Sequence, residues 1–223
     1  MTPGTGPGSA GPAAALRTRG DNPGAKALDS IGDRWTLLIV RELLALGPCR
    51  HTDLRNGLPG IASNLLVDRL RELEEAGLIH REAAPPPVAT TLFSLTERGR
   101  TLEPVLQELS RWGIPLLREP DGSDTFRTHW LDMPARALTD HRPDQPAIAL
   151  QLHADGNEDL VIEVKDGSVH THAGRVDHPT ASLTGPPHLL AATLLGDLDL
   201  SAAVQQGLRL SGEHEAVIRI LPR

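Results

Sequence analysis

The segment Gly60–Arg81, GIASNLLVDRLRELEEAGLIHR, constrains the fold of this chain more than any other stretch. Its leucines recur at helical spacing and fall on one side of a helical wheel; they are Leu65, Leu66, Leu70 and Leu73. The other side carries Asn64, Val67, Asp68, Arg71 and Glu75. Gly77 is placed to end the helix. We therefore predict an amphipathic helix that buries its leucines and leaves a mainly polar face exposed.

The neighbouring segments predict the rest of a small domain. ALDSIGDRWTLLIVRELLALG predicts one buried helix, which stops at Gly47-Pro48 and has a broad apolar face made of Trp35, Leu37, Leu38, Val40, Leu43 and Leu44. HTDLRNGLPG predicts a short helix and a turn. Leu78–Glu82 and Thr90–Thr96 predict a hairpin around a proline-rich loop, and ERGRTLEPVLQELSRWGIPLL predicts a final helix. This order of elements is that of a winged helix-turn-helix.

Four motifs occur along this region in the order IGDRWTLLIVREL, LPGIASNLLVDRLRELEEAGLIHR, FSLTERGRTL and WG. Through them, residues from about Asn22 to Leu117 resemble the HxlR-type winged-helix transcription regulators. The resemblance implies a homodimer that binds a palindromic operator in double-stranded DNA and pairs mainly through its terminal helices. Several members of that family carry a redox-sensing cysteine just before the first helix. This chain has Asn22-Pro23 there, so oxidation sensing at that position is not expected.

A helix that enters the major groove needs short polar side chains at its start and cations beside the flanking phosphates. Ser63 and Asn64 meet the first need, and Asn64 is the best candidate for a bidentate contact to adenine. Val67 is placed to contact a thymine methyl group. Further candidate DNA contacts are Arg50, His51, Thr52, Arg55, Arg71, His80 and Arg81.

Several of these side chains also have a purely structural interpretation. In the alternative interpretation, Ser63 only caps the helix. His80 and Arg81 are then simply the solvent-exposed end of a strand. Arg69 lies nearer the leucine face, so an ion pair with Glu72 or Glu42 is expected there rather than a base contact.

Cys49 is the single cysteine of the chain, so an internal disulfide and a cysteine-based zinc site are excluded. Arg50 and His51 beside it would favour a reactive thiolate. The alternative is a small, partly buried apolar residue. We favour the second interpretation because the chain has no resolving cysteine.

Composition divides the chain into a tail and two domains. Residues 1–23 are rich in glycine, proline and alanine without apolar periodicity, and they predict a flexible tail. We expect the winged helix-turn-helix over residues 24–118, where charges balance, and a second domain over 121–223. Residues 119–223 hold 8 Lys/Arg and 16 Asp/Glu, net −8, so DNA should meet the first half. No signal peptide or membrane-spanning run is predicted, which favours a cytoplasmic protein.

The second half changes from helical to alternating periodicity at Pro146. AIALQLHA, DLVIEVKDGSVHTHAGRV and ASLTG predict strands, with a hairpin at Asp166-Gly167. PPHLLAATLLG and DLSAAVQQG predict short helices, and LRLSG and EHEAVIRIL predict a strand and a helix. We therefore predict an α+β fold in which a small antiparallel sheet follows the winged domain.

The segment from Pro179 to Leu221 resembles the C-terminal part of sterol-carrier-protein type two domains. The shared pattern is a strand ending in Thr-Gly, a leucine helix, a Gly-Asp turn, a helix ending in Gly and a strand ending in Gly-Glu. The resemblance implies an apolar tunnel between sheet and helices that accepts a hydrophobic small molecule. Candidate ligand contacts are Trp130, Leu152, Leu190 and Leu194, although the leucines are also ordinary core residues and Trp130 is also able to pack the two domains together.

No catalytic set is evident. His170 and His172 share one strand face but lack a third ligand, and Asp197 and Asp199 fit turn and cap roles. We predict no enzyme, no metal site and no cofactor. We expect Leu106, Leu109 and Trp112 in a twofold interface, because their helix is too apolar for one thin domain to cover.

Together these features predict a dimeric transcription regulator whose second domain senses a hydrophobic small molecule. The alternative is a carrier or resistance protein that sequesters a hydrophobic compound.

Overall fold

A computed structural model describes residues 22–84, 90–113, 126–138 and 146–222. The predicted tail up to residue 21 and the proline-rich hairpin tip lie outside the described residues.

The first half contains six helices and three short strands among its described residues. The helices are α1 (Pro23–Ile31), α2 (Arg34–Leu46), α3 (His51–Gly57), α4 (Ser63–Glu75), α5 (Glu97–Arg100) and α6 (Glu103–Gly113). The strands β1 (Cys49–Arg50), β2 (Ile79–Ala83) and β3 (Thr91–Leu95) form an antiparallel sheet in the order β1-β3-β2. The predicted winged arrangement is therefore present.

The single first helix that we predicted is wrong, because the chain breaks into α1 and α2 at Gly32-Asp33. Asp33 accepts a hydrogen bond from the Trp35 amide at 2.9 Å, so it starts a new helix. Asn22 caps α1 in the same way through the Ala25 amide at 3.2 Å. Residues 22 and 23 thus belong to α1 and not to the predicted tail.

Helix α4 buries its leucine face as predicted. Leu66, Leu70 and Leu73 share one core cluster with Ile39 and Val40 of α2, whereas Leu65 is half-buried. Gly77, at φ 68°, ends the helix, with the Leu78 amide bonded to the Leu73 carbonyl. The Thr96 hydroxyl then donates to the Gly77 carbonyl at 2.7 Å, which ties the wing to the end of α4.

The second half is a five-stranded sheet with helices packed against it. Its strands are β4 (Ile148–Ala154), β5 (Leu160–Lys165), β6 (Ser168–Ala173), β7 (Ala181–Gly185) and β8 (Arg209–Gly212). Its helices are a 3-10 turn (Thr128–Leu131), α7 (Asp132–Leu138), α8 (Pro187–Leu195), α9 (Leu200–Gln205) and α10 (His214–Ile220).

The prediction of an antiparallel sheet is wrong at one pair of strands. The order is β6-β5-β4-β7-β8, and β4 and β7 run parallel. After the hairpin at Asp166-Gly167, the chain returns to the free side of β4, which places β7 in the same direction as β4. The predicted apolar face of β4 is confirmed, because Ile148, Leu150 and Leu152 are all buried.

Residues 126–138 join the two cores. Met133 belongs to the core of the first half, while Leu131 and Ala135 belong to that of the second. Arg136 of α7 bonds Asp132, Glu103 of α6 and Thr171 of β6. Helix α7 is therefore shared between the halves that we predicted as separate domains.

Candidate nucleic-acid interface

The outer face of α4 consists of the exposed residues that lie opposite its buried leucine face. Leu66 is completely buried, whereas its neighbour Val67 has 55% of its surface exposed. Ser63, Asn64 and Arg71 are also exposed. An exposed valine between polar residues is placed for an apolar contact with a partner, as the sequence predicts for a thymine methyl group.

The start of α4 has no side-chain cap. The N-cap residue is Ala62, so the interpretation of Ser63 as a helix cap is wrong. Ser63 is the first helical residue, and its hydroxyl accepts a hydrogen bond from Arg55 Nη1 at 3.4 Å. The first-turn amides and Arg55 therefore form a positive end that suits an anion such as a phosphate.

Most of the other predicted DNA contacts on and before α3 are exposed near this end. Arg50, Thr52 and Arg55 are exposed on α3 or immediately before it. The Asp53 carboxylate accepts the Arg50 amide at 2.8 Å, which fixes the start of α3. His51 is the exception, because its Nε2 is buried and has no hydrogen-bond partner among the residues that the structure describes.

Arg71 lies about two turns further along α4 than Ser63, at the edge of the outer face. Its guanidinium comes no closer than 3.9 Å to the carboxylates of Asp68 and Glu75, and all three side chains are exposed. Such exposed pairs contribute little to stability. Arg71 is therefore available for a phosphate.

The two predicted wing residues have partners inside the domain. His80 Nε2 lies 3.0 Å from the Ser94 hydroxyl across the hairpin. Arg81 pairs with Glu74 at the end of α4 at 3.2 Å. These contacts orient the base of the wing relative to α4.

The far end of α4 is acidic. Glu72, Glu74 and Glu75 follow one another closely there. Arg69 bonds Glu72, as one of its two predicted partners, and reaches Asp33 at 3.3 Å rather than Glu42. Each of these glutamates lies within ion-pair distance of an arginine, so this end carries no net positive charge to attract phosphates, and the first two turns of α4 suit DNA better.

Glu42 is a buried residue that the sequence interpretation missed. Its side chain is completely buried, and its carboxylate lies 2.7 Å from His129 Nε2 and accepts a hydrogen bond from Trp130 Nε1 at 3.1 Å. Arg41, which bonds the same carboxylate, lies over the Trp130 ring at 5.1 Å. The spacing of Glu42 three residues after Ile39 is the signal that places it on the buried face.

Among the described residues, the three leucines predicted to line a tunnel have almost no accessible surface. Leu152, Leu190 and Leu194 are packed in the main core of the second half. Trp130 contacts α2, as its alternative interpretation predicted. The predicted ligand set is therefore corrected, because close packing of these leucines with their neighbours leaves them no surface for a ligand.

An open cleft of about 780 Å³ lies elsewhere in the second half, beside α9, β8 and the start of α10. Its apolar lining includes Leu200, Val204, Leu208 and Leu210. Arg209 and His214 are its ionisable residues, and neither forms an ion pair in the described part of the chain.

Two of the three predicted interface residues are exposed. Leu109 and Trp112 on α6 have 47% and 69% of their surfaces accessible. Leu106 is buried in its own domain, so its predicted place in a twofold interface is wrong. Leu28 of α1 and Val105 of α6 add further exposed apolar surface.

His170 and His172 are exposed side by side on β6. The residues that the structure describes hold no cluster of three or more potential metal ligands. Within the same residues, no helix has the length and apolar character required to cross a membrane.

Helices α3 and α4 with the β2–β3 hairpin define a winged helix-turn-helix domain. The HxlR-like helix-turn-helix family matches residues 30–120 of the chain. The HTH-type transcriptional regulator YvaP of Bacillus subtilis is 38% identical over 87 residues, which are 39% of this chain and 80% of YvaP. YdeP of the same organism is 42% identical over 94 residues, which are 41% of this chain and 70% of YdeP.

Among solved structures, the reduced form of the transcriptional regulator YodB from B. subtilis is 30% identical, with a TM-score of 0.39. The aligned region covers 45% of this chain and 99% of the YodB chain. The chain belongs to the HxlR-like helix-turn-helix family, and the relatives named here are transcription regulators rather than enzymes. The second half lies beyond the matched region.

Cys49 is buried in β1 beside α3. Burial, with the carboxylates of Asp53 and Glu42 in support, raises the pKa of the Cys49 thiol from 9.0 to about 12. The side chain is therefore a protonated core residue at neutral pH. The interpretation as a reactive thiolate is wrong.

We predict that iodoacetamide labels Cys49 in the folded protein at pH 8 far more slowly than in the urea-unfolded chain. The folded protein also retains this proton where the unfolded chain releases it, so stability should fall as the pH rises from 9.0 towards about 12. Urea unfolding at several pH values measures this, with Cys49→Ala as the control that lacks the effect. Equal labelling rates in folded and unfolded protein would contradict the assignment.

Proposed function

We propose that this protein is a homodimeric transcription regulator that binds a palindromic operator through the first two turns of α4. The observation that carries the proposal is the outer face of that helix. There, Asn64 and Val67 are exposed directly beside the buried leucine face. Burial of the leucine face on the opposite side of α4 leaves both side chains exposed to solvent.

The chemistry of the face fits readout of base edges. Asn64 is suited to pair with the N6 and N7 positions of adenine, and Val67 to contact a thymine methyl group. Arg50, Arg55 and Arg71 flank them and supply charge for the phosphates. The ion-paired glutamates at the far end of α4 give phosphates no attraction, so insertion is expected mainly at the first two turns.

Pairing of two chains would cover the exposed apolar surface of α1 and α6. Leu28, Val105, Leu109 and Trp112 contribute to that surface. A twofold arrangement would present two copies of α4 to half-sites about one helical turn of DNA apart. This matches the palindromic operator that the family resemblance implies.

We assign the second half a sensing role. Its net charge of −8 would repel the phosphates of DNA. Each element of the sterol-carrier-like pattern also falls on a strand, helix or turn of the fold. The cleft beside α9 and β8 is the candidate site for an apolar molecule. Such a ligand alters operator binding only if it favours one of two arrangements of the dimer.

We predict that Asn64→Ala relaxes base preference and that Arg71→Ala weakens binding to all duplexes alike. Loss of an adenine contact should cost about 1–3 kcal/mol at one operator position, and loss of a phosphate contact should lower the salt slope by about one. Fluorescence anisotropy with a duplex selected by the wild-type protein, and with single-base variants of it, measures both. Arg175→Ala, which removes an exposed arginine of the second half, is the control.

Two results would remove these residues from the interface. One is an unchanged ranking of the duplex variants by Asn64→Ala. The other is a salt slope for Arg71→Ala equal to that of the Arg175→Ala control.

We predict that Leu109→Glu combined with Trp112→Glu produces a monomer, because charges would be buried in the twofold contact. Light scattering at micromolar concentration gives the mass, and operator affinity should fall because the dimer is lost. Ile218→Glu, at a residue of α10 that is 44% exposed, should leave the mass unchanged. A wild-type monomer that binds the selected duplex with full affinity would overturn the dimer.

We predict that the cleft binds a small molecule with an apolar body and an anionic group. Val204→Arg should block this binding. 1-Anilinonaphthalene-8-sulfonate serves as the probe, with Ile218→Arg as the control and circular dichroism to verify folding. Coupling predicts that the selected duplex changes probe affinity by the same factor by which the probe changes duplex affinity. Equal probe affinity for free and DNA-bound protein would reject the sensor. Probe binding without any selectable duplex would favour the carrier or resistance protein instead.

A further inference from the structure

The chain segment that precedes α7 holds the C-terminal end of α3. Arg127 Nε donates to the carbonyl of Asn56 at 3.4 Å. Two and three residues later, His129 and Trp130 bond the buried carboxylate of Glu42. These contacts meet at the residues where α3 ends and the turn into α4 begins.

Glu42 itself packs directly on that end of α3. A Cβ atom added to Gly57, the last residue of α3, would lie only 1.8 Å from Glu42 Oε2. The absence of a side chain at Gly57 is therefore what lets the carboxylate sit there. The position of the carboxylate sets how closely α3 approaches α2.

The carboxylate depends on the second half for its partners. Arg41 comes from the same helix, but His129 and Trp130 come from a segment that lies beyond the family match at residues 30–120. A fully buried carboxyl group needs such hydrogen-bond partners, because burying its oxygens without them is costly. Leu131, the next residue, is packed in the core of the second half. The contact therefore links that core to the end of α3.

We infer that Glu42 is a positioning residue: held by His129 and Trp130, it fixes the end of α3 and, through the following turn, the orientation of the outer face of α4. The inference rests on the proposed role of α4 in DNA binding. By this contact the second half sets operator affinity without touching DNA. No ligand has to be bound for the effect.

A second polar cluster between the halves provides a matched control. Thr171 of β6 bonds Asp132 and accepts Arg136 Nη2 at 3.2 Å, and Arg136 also bonds Glu103 of α6. This cluster joins the same two halves, but none of these contacts involves α3. Thr171→Val therefore loosens the junction without releasing Glu42.

The experiment compares Glu42→Gln, Trp130→Phe and Thr171→Val with the wild-type full-length protein. Trp130→Phe removes one N–H donor and keeps an aromatic ring beneath Arg41. The probe is a duplex selected by the wild-type protein from a randomised pool, with an unselected duplex of equal length as reference. Hydrogen exchange of the amides of residues 55–62 is measured in the free proteins.

Glu42→Gln and Trp130→Phe should weaken binding of the selected duplex by about 3- to 30-fold and speed exchange at residues 55–62. The salt slope should stay unchanged, because no phosphate contact is lost. Thr171→Val should bind within about twofold of the wild type and leave that exchange unchanged. If Glu42→Gln does not fold, Trp130→Phe carries the comparison.

Unchanged affinity and exchange in folded Trp130→Phe would overturn the inference. Equal losses in Thr171→Val and Trp130→Phe would also overturn it, because they would show a general loosening of the junction. If the wild-type protein selects no duplex, the proposed function fails instead, and faster exchange at residues 55–62 in Trp130→Phe still decides whether Glu42 positions α3.

Discussion

Burial of the leucine face of α4 against α2 fixes the rotation of α4 about its own axis. Each fully buried leucine contributes about 1.5–3 kcal/mol relative to an exposed one. Rotation by one residue would expose Leu66 and bury Asn64 or Val67. The same packing that stabilises the domain therefore determines which side chains face outward. The candidate DNA-reading surface is therefore a consequence of the core.

The two halves are not structurally independent, because Glu42 of the first half bonds His129 and Trp130. Apolar packing alone would let the winged domain stand by itself, and the matched region makes up 80% of YvaP and 70% of YdeP. Here the carboxyl group of Glu42 on α2 is buried, and it takes partners from residues 129 and 130 as well as from Arg41. Helix α7 adds side chains to both cores. The second half is thus built into the winged domain through polar contacts at α3 and α6.

The sequence predicted elements wherever local signals were strong. Apolar periodicity and a terminal glycine located α4, and Asp166-Gly167 located the β5–β6 hairpin. The break at Gly32-Asp33 was missed because the apolar pattern continues across it, and β1 was missed because two residues have no periodicity. The parallel pairing of β4 and β7 depends on how the chain crosses the sheet, which no local pattern encodes.

The candidate site was predicted in part for the same reasons. The exposed face of α4 follows from helical geometry, so Asn64 and Val67 are where the pattern placed them. Leu106 and the three leucines of the predicted tunnel are core residues, because apolarity alone does not distinguish a core from an interface or a pocket. Glu42 required knowledge of residues 87 and 88 positions away along the chain.

The most direct test of α4 as the reading element is photocrosslinking to a selected duplex in which 5-bromouracil replaces individual thymines. Mass spectrometry then identifies the peptide attached to each substituted base. The account predicts crosslinks within residues 63–71, concentrated at thymines whose replacement by other bases weakens binding. Crosslinks confined to residues 146–222, or their absence from α4 at every operator thymine, would contradict it.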